Sequence, residues 1–238
     1  MPVITFANTK GGAGKTTAVL LLSTELARRG YRVTILDADP QHWISHWSEM
    51  SGPVPNISVI DFVTSTSLPL HIRENQATTD YFIVDLPGTR TPLLATAIGL
   101  SDHVLIPIQG CAMDARGGAQ VLELLQYLAQ KGGIHIDHSV VLTRVNSMVT
   151  TRALQTVKAL LNQRQVSVLE TPIVERSAYR DIFDIGGTLH TMDPGRVSNL
   201  EKARDNASAF ADEMLSKMPV RLAASARIAA HRLMARAA

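Results

Sequence analysis

The sequence predicts an α/β fold of three layers, in which a mostly parallel β-sheet carries helices on both of its faces. Short β-branched and apolar runs alternate with helical stretches along nearly all of the 238 residues, which is the pattern of strand–helix–strand crossover units. Several runs, for example residues 104–108, are continuously apolar, as expected of strands buried on both sides. Ligands of such sheets bind at the carboxyl ends of the strands, so functional residues are expected there.

The elements follow one another in a regular order. Strands are expected at Val3–Asn8, Arg32–Asp37, Ile57–Phe62, Tyr81–Leu86, His103–Ile108, Ser139–Val145 and Val166–Glu170. Helices are expected at Lys15–Arg29, Ile44–Glu49, Pro92–Gly99, Ala115–Gln130, Thr150–Gln163 and Val197–Lys217. Gly30 is suited to end the first helix in a left-handed cap. We expect one domain at residues 1–217 and a basic helical tail at residues 218–238.

The composition is that of a chain able to bury a core without disulfides or metals. Apolar residues make up 45% and charged residues 18% of the chain. The single cysteine, Cys111, cannot form an internal disulfide, and no apolar run approaches the roughly 20 residues of a membrane span. The N-terminus leads directly into a strand without a signal-peptide pattern. A cytoplasmic protein without an N-terminal helix-turn-helix is therefore expected.

The charge is unevenly distributed. From Lys217 onwards the sequence has five basic residues and no acidic one, which leaves 18 basic against 21 acidic residues in the rest of the chain. A basic tail on a mildly acidic body is compatible with a polyanionic partner and equally with a solvated terminal helix. The alanine-rich tail lacks the wide, bulky apolar face of a membrane-surface helix, so DNA or solvent is favoured over lipid.

The turn after the first strand, T-K-G-G-A-G-K-T-T at positions 9–17, carries the strongest signal. Glycines allow backbone N–H groups to approach phosphate oxygens, and the helix N-terminus adds unpaired donors and positive potential. A lysine here can bridge phosphates, and a hydroxyl can ligate Mg²⁺. The expected phosphate-binding residues are Gly11, Gly12, Ala13, Gly14, Lys15, Thr16 and Thr17. The predicted architecture is thus a P-loop fold.

The turn departs from the usual G-x-x-x-x-G-K-[ST] pattern, because Thr9 replaces the first glycine and Lys10 precedes the double glycine. In this it resembles the deviant Walker A ATPases, whose signature is KGGxGK[ST]. The resemblance implies ATP and Mg²⁺ as cofactors. It also implies that Lys10, a binding and catalytic residue beside Lys15, reaches the nucleotide of the partner subunit in a homodimer.

Acidic residues end two further strands. LDADPQ at positions 36–41 resembles the Walker A′ motif of this family, in which Asp39 would position the attacking water and Asp37 would face the Mg²⁺ shell. FIVDLPG at positions 82–88 resembles Walker B, in which Asp85 would hold a magnesium-bound water and Pro87–Gly88 would sense the γ-phosphate. Thr16, Asp37 and Asp85 are therefore the expected metal-site residues. Structural capping remains an alternative for both strand-end acids.

Two further segments are assigned to the adenine site on the same resemblance. The segment T-R-V-N at positions 143–146 is similar to a family segment near the base, so Arg144 and Asn146 are expected to frame it. The loop containing Pro172 would be the opposite wall. By contrast, His42 and His46 have no third ligand nearby and are not expected to bind a metal, and Trp43 and Trp47 are expected to pack together against the body.

The resemblance is closest to small ParA-type plasmid partition ATPases of the ParF-like group, with VirC1-type and MinD-type proteins as relatives. It implies an ATPase of weak intrinsic activity that binds DNA without sequence preference and is stimulated by a centromere-binding, ParB-like partner. Membrane-surface positioning of a partner, as by MinD, and DNA transfer, as by VirC1, are the alternatives. A single cysteine excludes the two-cysteine cluster of the nitrogenase iron protein, and no substrate-chemistry motif suggests a ligase or reductase.

Overall fold

A computed structural model describes residues 1–110, 112–146 and 151–220, with the side chains of 112–114 excepted. Cys111 and the predicted tail from Arg221 onwards lie outside the described residues. Within the described part, no helix is both long and apolar enough to span a bilayer.

In the part of the chain that the structure describes, seven strands form a single sheet in the order β3-β2-β4-β1-β5-β6-β7, and every neighbouring pair is parallel. The strands are β1 (Val3–Phe6), β2 (Val33–Asp37), β3 (Ile57–Ile60), β4 (Tyr81–Asp85), β5 (His103–Gln109), β6 (Asp137–Val145) and β7 (Ile173–Val174). The predicted α/β class with a parallel sheet is confirmed. Because the chain leaves β1 towards one side of the sheet and returns to the other side with β5, the turn after β1 lies at a topological switch point.

Helices cover both faces, as predicted. Within the described residues they are α1 (Lys15–Arg28), α2 (Trp43–Ser51), α3 (Leu68–Asn75), α4 (Pro92–Gly99), α5 (Ala112–Gly132), α6 (Arg152–Gln163), α7 (Ala178–Ile185) and α8 (Leu200–Lys217). Side chains of α1, α2, α7 and α8 share one buried core, and those of α3, α4, α5 and α6 contribute to the other. Continuously apolar strands supply both cores, because successive side chains point to opposite faces.

The first helix begins and ends where glycine permits it. Gly14 has the left-handed conformation (φ 88°) immediately before α1. Gly30, at φ 91°, follows the last turn, and its N–H donates to the carbonyl of Ala27 at 3.0 Å. The predicted cap at Gly30 is therefore present, and the strand, turn and helix succeed one another as the glycine-rich motif requires.

The predicted strand at Val166–Glu170 is wrong. This segment touches β6 only around Val140, whose N–H donates to Ser167 O and whose carbonyl accepts from Leu169 N, both at 2.8 Å. The last strand is instead the two-residue β7, where Asn206 of α8 supplies the side-chain oxygen for Val174 N. The sequence analysis also missed α3 and α7, because one turn or two of amphipathic pattern among polar residues gives a weak periodic signal.

Candidate nucleotide site

The glycine-rich turn wraps over the carboxyl end of β1. Gly12 and Gly14 have positive φ angles of 78° and 88°, a conformation that L side chains rarely adopt. The carbonyl of Gly14 accepts the first helical bond from Ala18 N at 3.0 Å. The free N–H groups at the start of α1 therefore face the space above the sheet, where a helix N-terminus favours an anion.

An open cleft of about 680 Å³ occupies this space. Its lining comes from the loop, from the ends of β2, β4 and β6, and from α2 and α7: Gly11, Gly12, Gly14, Lys15, Thr16, Thr17, Asp39, Pro40, Gln41, Trp43, Pro87, Gly88, Thr89, Arg144, Tyr179, Arg180, Phe183 and Asp184. The volume is within the range of small-molecule sites, roughly 300–1,000 Å³. Three separate motifs of the sequence thus meet in one cleft.

Lys15 is the buried cation of the cleft, with 5% of its surface exposed. Burial lowers the pKa of its ammonium group, and the carboxylates of Asp85 and Asp39 oppose that shift. Its Nζ lies 3.5 Å from the carbonyl of Lys10. The charge of a buried ammonium group that neighbouring carboxylates only partly balance is stabilised further when a polyanion binds beside it.

Two carboxylates stand side by side below Lys15, since Asp37 and Asp85 are paired in register at the ends of β2 and β4. Asp37 Oδ2 accepts from the N–H of Ser45 at 2.9 Å and from its hydroxyl at 2.7 Å, whereas its buried Oδ1 has no partner among the described residues. Both oxygens of the fully buried Asp85 are outside hydrogen-bonding geometry with any described residue. Burial raises the pKa of Asp85 to about 7, against the opposing effects of the Thr16 hydroxyl and Lys15.

Unpaired buried oxygens of this kind fit a hydrated divalent cation. Mg²⁺ prefers oxygen ligands, retains several waters and is usually held by one or two protein groups together with phosphate. The Thr16 hydroxyl together with Asp37 and Asp85 supplies such a set. Among the described residues no cluster of three or more His, Cys, Asp or Glu side chains could hold a metal by itself.

The Walker B-like turn lies directly against the glycine-rich loop. A Cβ atom on Gly88 would stand 2.6 Å from Gly11 N and 2.7 Å from Gly11 Cα. Only glycine permits this approach, because the obstructing atoms are backbone. Pro87, Gly88 and Thr89 consequently face the cleft beside the loop.

Of the three residues assigned to adenine, only Arg144 lines the cleft. Arg144 lines the cleft from an exposed position with φ 49°. Asn146 and Pro172 are not among the residues that line it. Pro172 borders a different depression, and its carbonyl accepts from Asn206 Nδ2 at 2.8 Å. The loop is thus tied to α8, which the local sequence does not reveal.

Several cleft residues were not expected from the sequence. Tyr179, Arg180, Phe183 and Asp184 belong to α7, the helix that the sequence analysis missed. Trp43, expected to pack against the body on the same helix face as Trp47, is half exposed at the cleft, where its Nε1 donates to Gln41 Oε1 at 2.7 Å.

Trp47 behaves as predicted. Its side chain is buried and donates to Gly187 O at 2.8 Å. The joint packing prediction is wrong for Trp43 alone, because it occupies the first position of α2 and projects beyond the core.

The loop and the buried Lys15 border one cleft, and the buried carboxylates of Asp37 and Asp85 stand at adjacent strand ends. This arrangement is typical of a phosphate-binding site. The fold and the site together define a P-loop nucleotide-binding protein of the deviant Walker A type. The sequence profile described as VirC1 protein matches residues 1–204. The chain accordingly belongs to the VirC1 family of ParA-type ATPases, which confirms the resemblance drawn from the motifs.

Individual relatives agree with this assignment. The chain is 38% identical over 219 residues to Protein ParA of Rhizobium radiobacter, covering 92% of this chain and 98% of the relative. It is 29% identical over 178 residues to maintenance of carboxysome distribution protein A of Halothiobacillus neapolitanus, covering 74% and 80%. The solved ATP complex of a Cyanothece McdA variant superposes with a TM-score of 0.71 at 19% identity, over 93% of this chain and 99% of that one. This last similarity concerns the fold.

Proposed function

We propose that this protein is a DNA-partition ATPase that dimerises around Mg·ATP, binds DNA without sequence preference and hydrolyses ATP slowly. The observation that carries the proposal is the loop from Lys10 to Thr17, which has the deviant signature and borders the cleft. At the neighbouring strand ends, Asp37 and Asp85 have buried oxygens without a partner among the described residues. The 38% identity to Protein ParA over nearly the whole of both chains supports the partition assignment. A centromere-binding, ParB-like protein is the proposed stimulating partner.

ATP is proposed as the ligand and Mg²⁺ as its counter-ion. Lys15 would contact the β- and γ-phosphates, and the loop N–H groups would donate to the phosphate oxygens. Thr16 would hold the cation, while Asp85 and the unpaired oxygen of Asp37 would hold its waters. When bound, the cation neutralises charge that develops on the phosphates. The pKa of Asp85 would fall on cation binding, because a nearby positive charge favours the carboxylate.

Asp39 is proposed to orient the attacking water. It lines the cleft on the same side as Lys15, and its Oδ1 is fixed by the N–H of Gln41 at 2.9 Å. A carboxylate held near the terminal phosphate can accept a proton from water as the bond to phosphorus forms. Slow turnover is expected, since the motifs at residues 9–17, 36–41 and 82–88 contain no arginine and a partner can provide one.

Lys10 is proposed to act across a homodimer. Its N–H donates to Asn8 Oδ1 at 2.9 Å, and a Cβ atom on Gly117 of α5 would stand 3.0 Å from its Cβ. These contacts fix the backbone of Lys10 in front of the loop. The two nucleotides of a dimer would then each be contacted by Lys15 from one subunit and Lys10 from the other.

The decisive experiment measures ATP-dependent dimerisation by light scattering with a slowly hydrolysed analogue, together with nucleotide affinity by calorimetry. Lys15→Ala should lose ATP and ADP binding altogether. Lys10→Ala should bind ADP with wild-type affinity and fail to dimerise with the analogue. Unchanged nucleotide affinity of Lys15→Ala would refute the P-loop assignment, and a Lys10→Ala variant that still dimerises would refute the cross-subunit role.

A second candidate is a DNA-transfer role like that of VirC1, which the family match over residues 1–204 favours. Both functions predict ATP-dependent retention of DNA in a gel-shift assay. They differ in the partner, since partition requires a centromere-binding protein and transfer requires the transferred strand. ATP-dependent flotation with anionic vesicles and no DNA binding would instead support MinD-like positioning on a membrane.

A further inference from the structure

Two carbonyl groups of the phosphate loop accept hydrogen bonds from side chains of two neighbouring strands. When loop N–H groups turn towards a ligand, the carbonyls turn away and need donors of their own. The Thr143 hydroxyl donates to the carbonyl of Ala13 at 2.8 Å, and Gln109 Nε2 donates to the carbonyl of Gly12. Successive carbonyls of the loop thus have one side-chain donor each.

These two donors are a cross-strand pair. Gln109 and Thr143 are directly opposite in register, at the carboxyl ends of β5 and β6. The pairing of the strands fixes the distance between the two side chains, so the loop rests on a rigid support. We call Thr143 and Gln109 the loop clasp.

Thr143 also packs beneath the loop. It is 2% exposed, and a Cβ atom on Gly14 would stand 3.2 Å from its Cβ. The next residue, Arg144, has φ 49° and lines the cleft, where the β6–β7 register shifts between Thr143 and Val145. Irregularities of this kind re-aim side chains next to functional sites. Of these two consecutive residues, Thr143 therefore supports the loop and Arg144 borders the cleft.

We infer that Thr143 and Gln109 are positioning residues for phosphate binding, which hold the loop carbonyls outward so that the N–H groups of residues 12–15 point into the cleft. The inference rests on the proposed nucleotide binding. It assigns the threonine of the T-R-V-N segment to the phosphates rather than to the base. Neither residue needs to touch the nucleotide.

The test compares substitutions of Thr143 that remove either its hydroxyl donor or its packing beneath Gly14. Thr143→Val keeps the volume beneath Gly14 and removes the hydroxyl, whereas Thr143→Ser keeps the hydroxyl. Thr143→Val should weaken ATP and ADP binding about 5- to 20-fold, raising KM with kcat within about twofold, because the interaction is made before the transition state. Thr143→Ser should stay within about threefold of wild type. Gln109→Ala should weaken binding in the same way.

The matched control is Thr156→Val on α6, which removes an exposed hydroxyl bonded to Arg152 O at 3.0 Å, away from the cleft. It should bind nucleotide as wild type does. Amide exchange without nucleotide gives a second readout, in which residues 12–15 should exchange faster in Thr143→Val and at the wild-type rate in the control.

The possible failures are distinguishable. A wild-type protein that binds no nucleotide overturns the proposed function and this inference together. A wild-type protein that binds, with Thr143→Val binding equally well, overturns only the clasp. Equal losses in Thr143→Val and Thr143→Ser, or unchanged loop exchange in Thr143→Val, would mean that packing rather than donation matters, and would also overturn it.

Discussion

Ionisable residues are buried at both ends of the sheet, and their surroundings give them different roles. At the carboxyl end, Lys15 lines an open cleft, and its charge and that of the fully buried Asp85 partly offset each other. At the amino end, His103 is buried at the start of β5, and its Nε2 has no partner among the described residues. A bound ligand can complete the environment of Lys15 and Asp85. The buried, unpaired Nε2 of His103 instead lowers the stability of the fold.

Asp39→Ala should trap the ATP-bound dimer. The change removes the carboxylate that would orient water but no proposed phosphate contact, so nucleotide affinity should stay within a few-fold. Turnover should fall by about 10²-fold or more, the usual effect of losing a positioned base. Phosphate release and dimer lifetime are the measurements. Turnover within a few-fold of wild type would move the catalytic assignment to Asp37 or Asp85.

His103 makes stability depend on pH in mildly acidic solution. Burial, with a smaller effect of Lys217, lowers the pKa of His103 to about 4, and Asp137 opposes this shift. The unfolded chain takes up a proton below about pH 6.5 that the folded protein does not. Stability should therefore be lost as the pH falls from about 6.5 towards 4.

Urea unfolding at about pH 7.5 and about pH 5.0 measures this effect. Wild type should lose on the order of 2 kcal/mol more than His103→Gln over this interval, from about 1.4 kcal/mol per pKa unit. Equal losses in the two proteins would show that His103 is not responsible.

At the scale of elements, close backbone approaches hold the phosphate loop between the turn after β4 and helix α5. Gly88 abuts Gly11 on one side, and on the other side a Cβ atom on Gly117 would overlap Asn8 Oδ1. The Thr9 hydroxyl also lies 2.5 Å from Gln120 Oε1 of α5. A shift of either element would therefore displace the loop, because packed backbone does not deform continuously.

Gly88→Ala should displace the loop or the turn after β4, because the new methyl group meets backbone rather than a flexible side chain. Overpacking of this kind costs about 1–3 kcal/mol, and nucleotide affinity should fall at least about tenfold. Gly99→Ala at the end of α4 is the matched control, since a Cβ atom placed there would have no neighbour within 4 Å among the described residues. Thermal unfolding and calorimetry compare the two. Similar behaviour of both variants would contradict the tight approach at Gly88.

For the whole molecule, the point at which the basic tail leaves the body lies away from the nucleotide cleft. Met218 and Val220, which the sequence assigns to the tail, pack against the core. The Tyr81 hydroxyl donates to Met218 O at 2.6 Å, and the Tyr31 hydroxyl donates to Val220 O at 3.4 Å. Tyr81 begins β4 and Tyr31 precedes β2, so the tail starts at the amino edge of the sheet.

Deleting residues 221–238, which keeps these contacts, should weaken ATP-dependent DNA binding. The deletion removes four arginines, and each lost phosphate contact reduces the slope of log affinity against log salt by about 0.9. Some binding should remain through the body. A truncated protein with an unchanged salt slope would show that the tail takes no part, and unchanged ATP hydrolysis without DNA is the control for folding.

The sequence by itself determined the fold class and the phosphate loop, because both depend on local patterns. Short, continuously apolar runs that alternate with helical stretches favour strands covered on both faces, and Gly12 and Gly14 have backbone angles that other residues avoid. The family resemblance followed from residues 10–17, 36–41 and 82–88, each lying within a few positions of its strand end.

The tertiary structure alone decided which distant residues share the cleft. Trp43 and the residues of α7 reach it because α2 and α7 pack on the same face of the sheet, although more than about 100 positions separate them in the chain. Pro172 is not part of the cleft lining, and its carbonyl accepts a hydrogen bond from Asn206 of α8. Thr143 and Gln109 meet beneath the loop through strand register. Contacts of this kind depend on packing between elements, which local propensity does not encode.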